Sequence, residues 1–303
     1  MKLLVVLFRT LPCLMLGLAA MTSARGADQV TILYDAFGES RKLKSDWGFS
    51  LLVEYEGQKI LFDAGNNADT LAANVNALGI DLKSLDFVVI SHRHGDHTSG
   101  LNYLLQINPK IKIYVPAELF GVFGSTLPKG FYKGVDSLPS KMRYFQGAAP
   151  EAFSSGSAWA GANFVPIDAQ AEVAPGIFLI PTVSHTPGTL ELRELTLAIK
   201  TPHGLIVVVG CSHSGIEEIL TATSSVNPHV HMLVGGLHLV KTSNAEIERL
   251  ANVLHDKWKL DRIAPGHCTG EPAFAKFKQV FGESIFMLGL ARFLRSDRGL
   301  SSP

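Results

Sequence analysis

Ser91-His92-Arg93-His94-Gly95-Asp96-His97 is the stretch that decides how this chain is read. Three imidazoles and one carboxylate fall within six consecutive residues, His92 to His97. The run follows Phe87–Ile90, an apolar segment that reads as a short buried strand, and precedes Ser99–Gln106, which has helical spacing. Imidazole nitrogen and carboxylate oxygen are donors that Zn²⁺ favours, at about 2.0–2.2 Å. In an extended turn His92 and His94 face the same side, and Asp96 and His97 lie a short turn further on. One run can therefore serve two cations about 3.5–4 Å apart. The plain alternative is a solvated polar loop, which gives no reason for three imidazoles to gather behind a buried strand.

A cation site needs donors from distant positions as well. Ser184-His185-Thr186-Pro187-Gly188-Thr189-Leu190 follows a predicted strand over Gly176–Val183. Gly210-Cys211-Ser212-His213 follows one over Leu205–Val209, and Pro265-Gly266-His267-Cys268 follows one over Arg262–Ala264. Each potential ligand stands just past the carboxyl end of a strand, where loops converge in α/β architectures. Cys211 and His213 compete for one position, and thiolate chemistry favours Cys211. His267 and His238 compete for another, and His267 is preferred because Gly235-Gly236 before His238 equally suits a substrate loop. The losers would be donors behind the metal or core histidines. His203, His229, His231 and His255 follow no pattern and read as surface or packing residues.

The surrounding chain alternates sheet and helix. Gln29–Tyr34, Ser50–Glu56, Lys59–Asp63, Ile111–Val115, Leu195–Lys200 and Val230–Val234 read as further strands. Asn67–Leu78 stops at Gly79, a normal helix end, and Ser214–Thr223, Asn244–His255 and Pro272–Phe281 also read as helices. Val88–Leu101 and Leu205–Ile216 echo one another: a strand, then Ser-His, then a Ser-Gly helix start. The pattern predicts two related αβ halves packed sheet to sheet. Residues 121–160 differ, combining Gly, Ser and Pro with Phe123, Tyr132, Tyr144, Phe145 and Trp159, and they read as a lid or insertion.

The balance of 27 Lys and Arg against 27 Asp and Glu offers no electrostatic case for nucleic acid or an anionic membrane, so the expected partner is a small-molecule substrate. Oligomeric state is not legible. Residues 1–26 have a basic start, an apolar run over Leu11–Met21 and small residues before Ala27, the pattern of a signal peptide. The apolar run is short of the roughly 20 residues that span a bilayer. The expectation is a mature domain over 27–303, periplasmic or secreted, with no stable membrane insertion. Cys211 and Cys268 would then be the remaining cysteines, and spacing allows either a disulfide or metal ligation.

The H-x-H-x-D-H run resembles the signature of the metallo-β-lactamase superfamily, which implies an α/β fold: a four-layer αβ/βα sandwich. The resemblance continues along nearly the whole mature chain. Asp63 in Leu61-Phe62-Asp63-Ala64-Gly65 matches the family Asp that supports the metal loop. His185 matches the His of a G-H-T-P-G-S/T segment, with Ser184 in place of its first Gly. Cys211 matches a bridging Asp or Cys, and His267 matches the His of a P-G-H segment. Trp47-Gly48-Phe49-Ser50, Gly210 to Gly215, Gly235 to Leu239 and His267-Cys268-Thr269-Gly270 look like one subgroup of metal-dependent hydrolases. That subgroup includes dihydropterin-ribofuranosylaminobenzene-phosphate synthase-like proteins, although an export signal fits poorly with cytoplasmic pterin biosynthesis.

The resemblance implies two Zn²⁺ held by His92, His94, Asp96, His97, His185, Cys211 and His267, with Asp63, His213 and His238 supporting them or binding substrate. A water between two Zn²⁺ ions would ionise near a pH of about 7 and attack an ester, lactone, amide or phosphoester. Asp96 would bind the second metal and orient the hydroxide. One rival is a di-iron redox enzyme, but such relatives often carry Glu where this chain has His94. Another is a non-catalytic metal-bearing binding protein, but degenerate members usually lose ligands.

Overall fold

The computed structural model describes residues 28–295, apart from 39, 41, 119–121, 125, 129–131, 149–150, 155–157, 186–190, 287–288 and 290–292. The signal-peptide expectation for residues 1–26 lies outside the described residues, as does most of the turn after His185. In chain order the strands are β1 (Gln29–Tyr34), β2 (Ser50–Tyr55), β3 (Gln58–Phe62), β4 (Phe87–Val89), β5 (Lys112–Pro116), β6 (Thr126–Pro128), β7 (Ala152–Ser154) and β8 (Asn163–Ile167). They continue with β9 (Ala171–Ala174), β10 (Ile177–Ser184), β11 (Leu192–Thr201), β12 (Gly204–Val209), β13 (Val230–Gly236), β14 (Arg262–Gly266) and β15 (Phe293–Arg295). The helices are α1 (Ala68–Ala77), α2 (Gly95–Thr98), α3 (Leu101–Ile107), α4 (Ile216–Thr223), α5 (Asn244–Asn252) and α6 (Glu271–Phe281).

Two mixed sheets carry the fold, in the orders β15-β1-β2-β3-β4-β5-β8 and β14-β13-β12-β11-β10-β9. Strand alternation explains how they stack. In β12 the whole of Gly-Leu-Ile-Val-Val-Val is buried, as expected for a strand covered on both faces. Ile206 and Val208 join Leu51, Val53, Ile60 and Phe62 of the other sheet in the inner core. Leu205, Val207 and Val209 turn the other way and pack under α4, α5 and α6. On the opposite flank Leu52, Leu61 and Val88 meet Leu71 and Val75 of α1 and Leu101 and Leu104 of α3. The result is the expected four layers, helix, sheet, sheet, helix.

Helix boundaries follow local chemistry. Asn67 caps α1, its side chain accepting from the Asp69 and Thr70 amides, and Gly79 follows at a φ of +67°. The helix expected over Asn244–His255 ends its α geometry at Asn252 and continues as one wider turn through Lys257.

Between β5 and β8, which pair in parallel, lies the stretch that contains residues 121–160. Within it β6 and β7 make a small antiparallel ribbon, and Met142, Tyr144 and Phe145 are exposed. Trp159 and Phe123 pack back onto Phe164 of β8. Besides the β6–β7 ribbon, the strands absent from the sequence reading are the edge strands β8, which contains Pro166, β9, which is only Ala-Glu-Val-Ala, and the three-residue β15. Proline is tolerated at a sheet edge, and short edge strands lack a strong apolar signal.

Candidate metal centre

The parallel strands β3, β4, β12, β13 and β14 end at one edge, and the loops after them carry the candidate ligands. Four of these loops hold a non-glycine residue in the left-handed region: Asp63 at a φ of +58°, Ser212 at +62°, His238 at +52° and His267 at +48°. Such conformations cost on the order of 1–3 kcal/mol each and persist where surrounding contacts enforce them. The contacts are present. Ala64 N donates to His97 O at 2.7 Å, Phe49 N to Asp96 O at 3.1 Å, and Ser212 Oγ to Gly236 O at 2.8 Å.

The imidazoles converge nitrogen to nitrogen. His92 Nε2 lies 3.1 Å from His94 Nδ1, and His97 Nε2 lies 3.2 Å from His267 Nε2. Asp96 Oδ2 is 3.7 Å from His97 Nε2 and 3.4 Å from His267 Nε2, and Cys211 Sγ is 3.2 Å from His97 Nε2. His92, His94 and His213 offer donor atoms within 4.8 Å of one another, as do Asp96, His97 and His267. His92, His97 and Cys211 form a third such group, linking the other two. His213 Nε2 and His267 Nδ1 are buried with no hydrogen-bond partner among the described residues. Unpartnered buried nitrogens are costly, and converging nitrogens that mostly lack acceptors suit cations. The donor set fits a metal pair.

Protonation favours the same use. Burial, reinforced by neighbouring histidines, pushes the pKa of His92 well down. Burial lowers His94, and burial with the nearby His238 and His94 brings His213 to about 3. These rings are therefore neutral, with lone pairs to give. Burial opposes ionisation of Asp96, but its hydrogen bond to His267 and the charge of His97 outweigh that and keep the carboxylate ionised.

Deeper residues aim these donors. Asp63 is buried and accepts from Ser91 N, Ser91 Oγ and His97 Nδ1, each at 2.7 Å. The last bond leaves His97 Nε2 facing the cluster. Burial works against a charged His97, yet the Asp63 carboxylate more than offsets it and raises the pKa. Ser91 Oγ lies 2.9 Å from His92 Nδ1 and orients that ring.

Two supporting carboxylates were missed in the sequence reading. Asp35 accepts from His267 N at 3.2 Å, and burial raises its pKa to about 6. Its signal was visible, since it closes β1 as Asp63 closes β3. Glu194 accepts from His213 N at 2.9 Å and Ser214 N at 2.8 Å, fixing the loop that presents His213. Leu192-Arg193-Glu194-Leu195 reads as an ordinary strand, so Glu194 left no signal.

The structure brings together His92, His94, Asp96, His97, Cys211 and His267 of the expected ligands. His185 is different: it is exposed, just beyond β10, and belongs to none of the donor groups. The imidazole beside His92 and His94 is His213, from the loop after β12. The reason is local. Ser184, the last residue of β10, spends its hydroxyl on His213 O at 2.9 Å, so the β12 loop occupies the space beside the pair. Cys211 and His213 are therefore not rivals, because each joins a different group. His267 sits with Asp96 and His97, whereas His238 sits with Cys211 and Cys268. Cys211 and Cys268 are unbridged, with sulfurs 3.4 Å apart.

A family model described as the metallo-beta-lactamase superfamily matches residues 48–201. The chain is 29% identical over 294 residues to 7,8-dihydropterin-6-methyl-4-(beta-D-ribofuranosyl)-aminobenzene-5'-phosphate synthase of Methanocaldococcus jannaschii, covering 88% of this chain and 95% of that protein. A crystal structure of a metal-dependent hydrolase of the beta-lactamase superfamily is 27% identical, with a TM-score of 0.67, over 89% of this chain and 100% of that one. The structure of a diphosphatase from the PhnP family shares the fold at 14% identity, with a TM-score of 0.52, over 89% of this chain and 97% of that one.

Proposed function

Because the chain belongs to the metallo-β-lactamase superfamily, we propose that it is a zinc-dependent hydrolase of a small molecule. The observation that supports this most is the pair of facing donor groups, His92–His94–His213 and Asp96–His97–His267, with Cys211 between them. Two zinc ions there would supply Lewis-acid activation of a water and of the scissile oxygen. The chain's own residues do the rest. His92, His94 and His213 hold one position as neutral imidazoles, and Asp63 fixes the tautomer of His97 at the other. The Asp96 side chain is about one-fifth exposed, and its ionised carboxylate can hold a cation and accept a hydrogen bond from an incoming water. A cavity of about 440 Å³ opens beside His213 and His238, bordered by Ser214, Thr242 and Arg249, and offers room for substrate.

The substrate classes that fit are ester, lactone, amide and phosphoester. The methanogen relative makes aromatic 5'-phosphates the first compounds to include. The test is a hydrolysis screen across these classes with chelator-stripped protein reloaded with Zn²⁺. Turnover of at least one class is expected, with a loss of about a thousandfold or more in His92→Ala. Zinc-loaded, folded protein that hydrolyses none of them would remove the hydrolase reading. Oxygen consumption by the iron-loaded protein would support redox chemistry instead.

A further inference from the structure

Cys268 and His238 hold no metal position in that scheme, and both stand beside Cys211. Cys211 and Cys268 are both buried, at 3% and 2% exposure, and their sulfurs are 3.4 Å apart without a bond. Cys211, Cys268 and His238 offer donor atoms that all lie within 4.8 Å of one another. The group contains no oxygen donor, unlike the Asp96–His97–His267 group. Two ligands on one tetrahedral zinc-like ion at about 2.3 Å stand about 3.8 Å apart, so the sulfurs are already near a shared-ion spacing. His238 is held there by its backbone: it is left-handed at a φ of +52°, and its amide donates to Cys268 Sγ at 3.3 Å. His238 is exposed and borders the open cavity, whereas both sulfurs are buried.

We propose that Cys211, Cys268 and His238 form a third, sulfur-rich cation position, selective for a thiophilic ion such as Cu⁺, Zn²⁺ or Cd²⁺. Soft thiolate donors with one imidazole select such ions and disfavour Mg²⁺, Ca²⁺ and Mn²⁺, which want oxygen. Binding releases thiol protons to solvent, involves no electron transfer and needs no oxidant. Cys211 is shared with the His92–His97 group, so an ion held by the sulfurs would draw that thiolate away from the imidazole side. The position adds to the proposed zinc pair and stands on different residues apart from Cys211.

The test is a Cd²⁺ titration of the chelator-stripped, reduced full chain, read by bound equivalents and by thiolate-to-cadmium absorption in the ultraviolet. The wild type is expected to bind one more equivalent than Cys268→Ser and to show about twice its thiolate absorption. His238→Ala keeps both sulfurs and alters an exposed ring, so it serves if Cys268→Ser folds poorly. It is expected to weaken the sulfur-linked equivalent by about tenfold or more. Equal stoichiometry and equal absorption in wild type and Cys268→Ser would overturn the proposal, as would unchanged Cd²⁺ affinity in His238→Ala. Thiolate absorption with no additional ion bound by the histidine groups would instead overturn the zinc-pair reading and leave this one standing.

Discussion

In the proposed hydrolase, Asp96 is the residue on which the chemistry turns most clearly. It sits in the first turn of α2, with its side chain about one-fifth exposed, and belongs to none of the apolar core clusters. Asn is nearly isosteric but uncharged, so it binds a cation poorly. Asp96→Asn is expected to lower turnover by about a thousandfold or more, with the stability of the metal-free protein changed by about 0.5 kcal/mol. Steady-state hydrolysis beside thermal melting checks both halves of that expectation, and wild-type turnover in the variant would contradict it. Asp35 gives a different, thermodynamic signature. Burial raises its folded pKa to about 6, above the ordinary carboxyl value of 3.8. A raised folded pKa means the folded state holds the proton more tightly than the unfolded state. The resulting stability is fully present below a pH of about 4 and is lost as the pH rises through about 6. The full difference is on the order of 3 kcal/mol. Denaturant melts of metal-free protein at several pH values should show this loss in the wild type and not in Asp35→Asn. The same pH slope in both proteins would assign it to another group. Residue types were legible where chemistry was concentrated, as in His92 to His97, and illegible where one carboxylate served a distant loop, as with Glu194.

Elements were read well where burial was two-sided. Leu205–Val209 is an unbroken apolar run, and its pairing with β13 in parallel makes it central. The edge strands β8 and β9 were missed because an edge requires neither a full apolar face nor every backbone donor. His185, expected among the ligands, stands apart from the donor groups of the described residues. Family-like spacing located the motif, but a hydroxyl at the end of β10 and the path of the β12 loop decided which imidazole reached His92 and His94. The β12–β13 pair also explains Gly235. Its φ is +124°, and a Cβ there would stand 1.9 Å from Val209 O, a backbone atom that cannot step aside. Gly235→Ala is expected to destabilise the protein by about 2–4 kcal/mol through backbone strain and overpacking. Denaturant unfolding measures this directly, and a change below about 0.5 kcal/mol would show that the two strands part more easily than their packing indicates.

At the scale of the molecule, the two αβ halves were legible from the echo between Val88–Leu101 and Leu205–Ile216. What the echo could not reveal is how the halves meet. Stacking the sheets brings His92, His94, Asp96 and His97 from the first half against Cys211, His213 and His267 from the second. Neither half holds a complete donor set, so a cation bound there joins them and should stabilise the fold by mass action. The central claim is therefore positional: cations sit between the donors of the two halves. Anomalous diffraction at the zinc edge, from crystals of zinc-reloaded protein, tests it most directly. The account predicts one peak at bonding distance from His92, His94 and His213, and a second from Asp96, His97 and His267. Well-ordered crystals with neither peak, despite bound zinc elsewhere on the protein, would contradict it.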